Sequence, residues 1–129
     1  MNLLLDTNVA LWTITDDPRL PARVRALLLD PENLAAVSVV SIWEIAIKRG
    51  RRGLRAMPVT ALEAQAMFEG SGYSLLSIDA RHAAACETLP HIHADPFDRM
   101  LVAQALTEPM RLVTSDKIVA SYDASIIFV

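Results

Sequence analysis

The chain has 129 residues, 53% hydrophobic and 21% charged, with a formal net charge of −3; this suits one compact domain with a real core rather than a disordered chain. No apolar run approaches the ~20 residues a bilayer-spanning helix needs, and the first residues read straight into a strand without a basic or cleavable leader. A single cysteine, Cys86, excludes an internal disulfide framework and predicts a reducing, cytoplasmic setting.

Asn2-Leu3-Leu4-Leu5 reads as a strand closed by Asp6, followed by a short helix over residues 8–12 that Asp16-Asp17-Pro18 breaks. Pro21 opens a second helix with Val24, Leu27 and Leu28 on its apolar side. After the turn Asp30-Pro31-Glu32-Asn33, residues 34–40 form an apolar, β-branched run that reads as a buried strand. Ser41-Ile42-Trp43-Glu44 has the capping-box pattern and predicts a helix from Ser41 to the Gly50 region. Thr60-Ala61-Leu62-Glu63 repeats the pattern and opens a helix ending near Gly70. Residues 73–78 read as a third strand, and Asp79 caps a helix over residues 80–89 that Pro90 closes. Asp95-Pro96 opens a helix over residues 97–107, and strands follow at residues 111–115 and 125–129. Strands alternating with helices predict one α/β domain over residues 1–129, a parallel sheet covered on both faces.

Ligands bind such a sheet at the carboxyl edge of its strands. Asp6, Asp79 and Asp116 each follow a strand, while Glu44 and Asp98 lie in the first turns of helices. Two carboxylates ~4 Å apart repel by ~4 kcal/mol at an effective dielectric of ~20. A cluster of them therefore either takes up a proton or holds a divalent cation, and the cation points to phosphodiester chemistry. Each acid also has a local explanation. Asp6, Asp79 and Asp95 can cap helices, Asp98 can complement a helix dipole, and Glu44 occupies the capping-box position that Glu63 occupies later. No strand precedes the Glu63 helix, which sets it aside, whereas the pattern alone does not separate Asp79 from Asp116.

Lys48, Arg49, Arg51, Arg52 and Arg55 form a dense basic stretch broken by Gly50 and Gly53. It fits either a solvated helix C-terminus or a contact to phosphates. His91, His93 and Asp95 give three possible ligands within five residues and no cysteine, a poor pattern for zinc. His93 reads instead as a polar residue ordering the loop before Asp95, and His82 as a surface or capping residue.

Four segments then stand in the order and spacing of PIN domains. They are Leu5-Asp6-Thr7-Asn8, Ser41-Ile42-Trp43-Glu44-Ile45-Ala46, His93-Ala94-Asp95-Pro96-Phe97-Asp98-Arg99-Met100-Leu101 and Thr114-Ser115-Asp116. Across nearly its whole length the chain resembles the VapC toxins of bacterial type II toxin–antitoxin systems. The resemblance implies a five-stranded parallel sheet, an acidic pocket holding Mg²⁺ or Mn²⁺, and an endoribonuclease acting on tRNA or rRNA. It implies Asp6, Glu44, Asp98 and Asp116 as the catalytic acids, with Asp6, Asp98 and Asp116 as metal ligands. It implies Asp95 as an accessory acid, Thr7 and Thr114 as hydroxyl supports, and a capping role for Asp79. It also implies a VapB-like antitoxin reaching into the pocket across a groove that involves Trp12 and Trp43, and a homodimer.

Three other classes fit less well. A haloacid-dehalogenase-type enzyme needs a second Asp two residues after the first, where this chain has Asn8. A phospho-receiver needs its acidic pair at the strand end, and Asp16-Asp17 lies beyond the first helix. A PIN-like module that binds RNA or protein without cutting would have a degraded acidic set, and all four acids are present.

Overall fold

The computed structural model describes residues 1–53 and 57–129. Its elements in chain order are β1 (Asn2–Leu5), α1 (Thr7–Ile14), α2 (Ala22–Leu29), β2 (Leu34–Ser38), α3 (Val39–Arg52), α4 (Ala61–Gly70) and β3 (Ser74–Leu76). They continue with α5 (Ala80–Ala85), a 3-10 turn (Cys86–Thr88), α6 (Pro96–Thr107), β4 (Arg111–Thr114), α7 (Lys117–Ala120) and β5 (Ile127–Phe128). The five strands form one sheet in the order β3-β2-β1-β4-β5, with every pairing parallel. The predicted α/β class and the five-stranded parallel sheet are thus both present.

Alternation along the strands divides the interior into two cores. Leu3, Leu5, Val37 and Val113 point to one face, where α1, α2 and α4 bring Val9, Val24, Ala64 and Phe68. Leu4, Ala36 and Leu112 point to the other, where α6 and α7 bring Leu101, Val102 and Val119. Helix α3 serves both, with Ile45 in the first core and Val40 in the second. A one-residue slip of β1 would exchange these faces, so burial on both sides fixes its register.

The chain runs outward from β1 through β2 to β3, then returns to the opposite side of β1 for β4 and β5. The carboxyl ends of β1 and β4 therefore flank the point where the winding reverses, which opens a crevice in a sheet of this kind. Leu5 is level with Val37 and Val113, so Asp6 stands beside Ser38 and Thr114.

Several boundaries differ from the sequence pattern. The second strand stops at Ser38, whose hydroxyl accepts the Val40 N–H 3.0 Å away and caps α3. Val39 and Val40 are helical despite their β-branched side chains, because capping and the burial of Val40 outweigh propensity. Ser41 and Glu44 accordingly lie inside α3, and the capping box predicted for them does not form. The box predicted at Thr60 does form, with Glu63 accepting from the Thr60 N–H and the Thr60 hydroxyl accepting from the Glu63 N–H. The helix predicted over residues 80–89 tightens into the 3-10 turn at Cys86, the last strand is shorter than predicted, and α7 was not anticipated. Among the described residues no helix is long and apolar enough to cross a membrane.

Candidate functional site

Asp6 leaves β1 at the winding reversal and is at once the N-cap of α1. Its Oδ1 accepts the Val9 N–H at 2.8 Å and its Oδ2 accepts the Thr114 hydroxyl at 2.5 Å. Capping and site geometry are one arrangement here, since the cap aims the second oxygen across the crevice. The Thr114 hydroxyl in turn accepts the Asp116 N–H at 3.0 Å, tying the ends of β1 and β4 together. Asp116 caps α7 by accepting the Ile118 and Val119 N–H groups.

Glu44 is held by a different route. It is buried, and a buried carboxylate needs donors. The Thr7 hydroxyl donates to Oε1 at 2.6 Å, and Lys48, one turn further along α3, makes an ion pair with Oε2. Ser41 Oγ lies 2.8 Å from Thr7 Oγ1. Because Thr7 has already given its only proton to Glu44, Ser41 donates to Thr7. Thr7 thus links α1 to α3 through a buried chain of three polar side chains.

Asp95 caps α6 by accepting the Phe97 N–H at 2.8 Å, which places Asp98 in the first turn facing the same crevice. His93 orders the approach, as the loop reading predicts, with its Nδ1 accepting the Asp95 N–H at 3.1 Å. That bond leaves Nδ1 unprotonated, so the neutral ring carries its proton on Nε2. Nε2 lies 3.2 Å from Asp116 Oδ2 and 3.3 Å from Asp98 Oδ2. His93 therefore faces both carboxylates as a donor rather than as a nitrogen ligand. Its backbone is held as well, the Tyr122 hydroxyl accepting its N–H at 2.8 Å and Arg99 donating to the same hydroxyl.

Asp6, Thr7, Asn8, Glu44, Lys48, His93, Asp95, Asp98 and Asp116 line a single pocket of about 240 Å³. All four predicted acids meet there, together with Asp95 and Thr7, and Thr114 supports Asp6 from beneath. The electrostatics follow from this crowding. Burial pushes the Asp6 carboxyl above its ordinary value, against the donors Thr114, Val9 and Ser115, and Glu44 adds repulsion. Asp98 is raised from 3.8 to about 7, by burial first and then by Asp95, Glu44 and Asp6, with His93 opposing. Burial also acts upward on Asp116, yet its bonds from Ile118, His93 and Val119 hold it below its ordinary value.

Two acids that resist ionisation beside two more is a field that favours a cation. The donors facing the pocket are carboxylate oxygens, the ligand type of hard dications such as Mg²⁺ and Mn²⁺. The residues present fit such an ion: carboxylate oxygens of Asp98 and Asp116 lie within 4.8 Å of each other, and Asp6 and Glu44 line the same pocket.

The remaining candidates fall elsewhere. Lys48 is at the pocket, whereas Arg49 donates to the Met57 carbonyl. Arg51 and Arg52 are exposed in the last turn of α3, as the helix-end reading predicts, and line no part of the pocket. Arg55 lies outside the described residues. Asp79 caps α5 and pairs with Arg81, outside the pocket. His82 is a capping residue but not a surface one: it is 1% exposed, and its Nδ1 accepts the Asp79 N–H. That fixes its proton on Nε2, which donates to Glu108 at 2.6 Å, so this second carboxylate–histidine group is internally satisfied. Trp12 packs on the first core and lines a cleft beside the pocket, while Trp43 is 58% exposed with its ring edge-on to Phe97.

The sequence pattern missed the contact of His93 with Asp98 and Asp116, and the part of Ser41 in supporting Glu44. The first was half visible, since a histidine two residues before a cap can reach the cap's N–H. The contact with Asp116 crosses 23 positions and depends on β4 lying next to β1.

A family model described as the PIN domain matches residues 3–125. Among solved structures, the chain is similar to VapBC2 from Rickettsia felis bound to a DNA fragment from their promoter. The TM-score is 0.71 and the identity 15%, over 100% of this chain and 98% of that one. It is similar to DNA-bound VapBC from Salmonella typhimurium, with TM-score 0.66 and 18% identity over 100% and 97% of the two chains. It is also similar to VapBC-1 from nontypeable Haemophilus influenzae, with TM-score 0.64 and 14% identity over 100% and 97%. At such identities the likeness is one of fold. No curated protein matches the chain.

Proposed function

The chain belongs to the PIN-domain family, and from that premise we propose that it is a VapC-type toxin, a metal-dependent endoribonuclease hydrolysing phosphodiester bonds of RNA. The observation that carries this reading is the convergence of Asp6, Glu44, Asp98 and Asp116 in one pocket, with Asp98 raised to about 7. Isolated helix caps would not produce such crowding.

The pocket lining supports the following roles. Asp6, Asp98 and Asp116 would hold Mg²⁺ or Mn²⁺, and Glu44 would orient a water or support a second ion. A bound dication of this class increases the acidity of water and draws charge from phosphate oxygens. Thr114 holds Asp6 at a fixed angle, and Thr7 does the same for Glu44. His93 turns its Nε2 proton toward Asp98 and Asp116, keeping the two carboxylates on the crevice side. Asp95 acts as an accessory acid, fixing both the first turn of α6 and the His93 ring. Lys48 balances Glu44 at the pocket and offers a cation to the RNA backbone, with Arg49, Arg51 and Arg52 proposed to extend that contact.

Three of the structurally similar proteins are described as VapBC complexes. For this chain we propose a VapB-like antitoxin that places an Arg or Lys among the pocket carboxylates, a homodimeric toxin, and a cytoplasmic location. Light scattering at micromolar concentration tests the dimer. The first experiment on function is cleavage of a tRNA and rRNA mixture in Mg²⁺ or Mn²⁺, with EDTA and Asp98→Asn as controls. Discrete cuts that require both the metal and Asp98 are expected. Folded, antitoxin-free protein that leaves every RNA intact would refute the nuclease reading.

A further inference from the structure

The larger concavity is not the acidic pocket but a cleft of about 580 Å³ beside it. Asn8 and Lys48 line both, so the two spaces are neighbours along one groove. The cleft's distinctive wall is Trp12. This ring is partly exposed, it rests on the core, and the Arg19 guanidinium lies over it at 5.2 Å from the ring centre. Arg19 is held in that pose by Asp17, whose Oδ1 accepts from Nε at 3.1 Å and whose Oδ2 accepts from Nη2 at 2.8 Å. Met57 supplies an apolar floor and Thr15 a hydroxyl.

A guanidinium held by two bonds to one carboxylate and placed over indole offers a surface to another flat, polarizable group. A nucleobase is such a group, and unpaired bases are recognised by stacking on aromatic rings and Arg planes. The alternative occupant, an apolar side chain of a protein partner, fits less well. The guanidinium covers the aromatic wall, and Asp16, Asp17, Lys48 and Asn8 make the rim polar. Position gives the second argument. Lys48 stands where the cleft meets the acidic pocket, so a phosphate in that pocket would leave the adjoining nucleotide beside Trp12 and Arg19.

We propose that the Trp12–Arg19 cleft is a nucleobase subsite, taking the unpaired base next to the phosphate held at the acidic pocket. The proposal rests on the RNA-cleaving reading and adds to it that the substrate is single-stranded at this position. The stack is sequence-tolerant, because every base has a π face.

The chain has two tryptophans, so Trp43→Phe makes Trp12 the sole reporter. That protein is titrated in Ca²⁺ with a single-stranded RNA hexanucleotide and with an abasic ribose–phosphate strand of equal length. The RNA is expected to quench Trp12 emission and to bind about tenfold or more tightly than the abasic strand, the range of one stacked base. Because Trp12 packs on the core and its removal risks unfolding, the second variant is the exposed Arg19→Gln. This variant should lose most of the RNA preference while binding the abasic strand as before. Equal binding of both strands without quenching would overturn the subsite and leave the RNA reading intact. Failure of both strands to bind would overturn the subsite together with the RNA reading. Preference for the hexanucleotide that Arg19→Gln leaves unchanged would place the base elsewhere and refute the assignment.

Discussion

Asp98→Asn separates stability from chemistry in a way that only a crowded carboxylate pocket predicts. The Asp98 carboxyl is raised from 3.8 to about 7, and its side chain is 22% exposed. As pH rises from about 4 to 7, the unfolded chain releases this proton while the folded chain keeps it. Folding is then opposed by proton linkage, so the residue's effect on stability is least unfavourable below about 4 and grows worse toward 7. At about 1.4 kcal/mol for each tenfold in proton affinity, the penalty at pH 8 reaches at most about 4 kcal/mol. Asparagine has no charge to desolvate. In EDTA, urea denaturation at pH 8 should therefore show the variant more stable than the parent by roughly 1–4 kcal/mol, with most of the difference gone near pH 4. Added Mg²⁺ should reverse the order, because it stabilises the parent through a ligand that the variant lacks. A variant less stable than the parent at pH 8 in EDTA would refute the account of Asp98 as a strained, metal-awaiting acid.

Three further outcomes test the supporting side chains. Thr7→Val keeps the shape but removes the donor to buried Glu44 and the link to Ser41; a loss of about 1–3 kcal/mol is expected by urea titration, and a change within error would deny the link any structural weight. Thr114→Val removes a bond that lowers the Asp6 carboxyl. Asp6 then ionises at higher pH, so the acid limb of the cleavage–pH profile should move upward, and an unmoved limb would separate Thr114 from the site. Glu63→Gln alters an exposed capping box remote from the pocket; it should lower the melting temperature slightly and leave cleavage rates as they were.

The layered fold was readable because hydrophobic runs, caps and prolines are local signals that agree with one another. Asp95-Pro96 shows this best: cap, first-turn proline and first-turn acid are all where the sequence puts them. Strand order is a different kind of information. Asp79 and Asp116 have the same local grammar, a strand followed by an acid that caps a helix. What separates them is that β3 is an edge strand while β4 adjoins β1 at the winding reversal. Nothing within five residues of either acid encodes that difference, so the pattern alone left both open.

Glu44 carries the same lesson in sharper form. Its segment and that of Glu63 both spell hydroxyl, two residues, glutamate, and a local rule assigns both to capping boxes. Only Thr60 obeys. Before Ser41 lies a strand whose last residue, Ser38, is level with Asp6 and takes the capping role first. The helix then begins early enough to carry Glu44 past its N-terminal turn and against Thr7. Among the described residues no strand ends just before Thr60, so its hydroxyl has the helix N-terminus to itself and Glu63 turns back to close the box. The acid freed from capping is the one that enters the pocket. An early helix start, set by a serine at the end of a buried strand, is what frees the glutamate from its local role and lets it line the pocket.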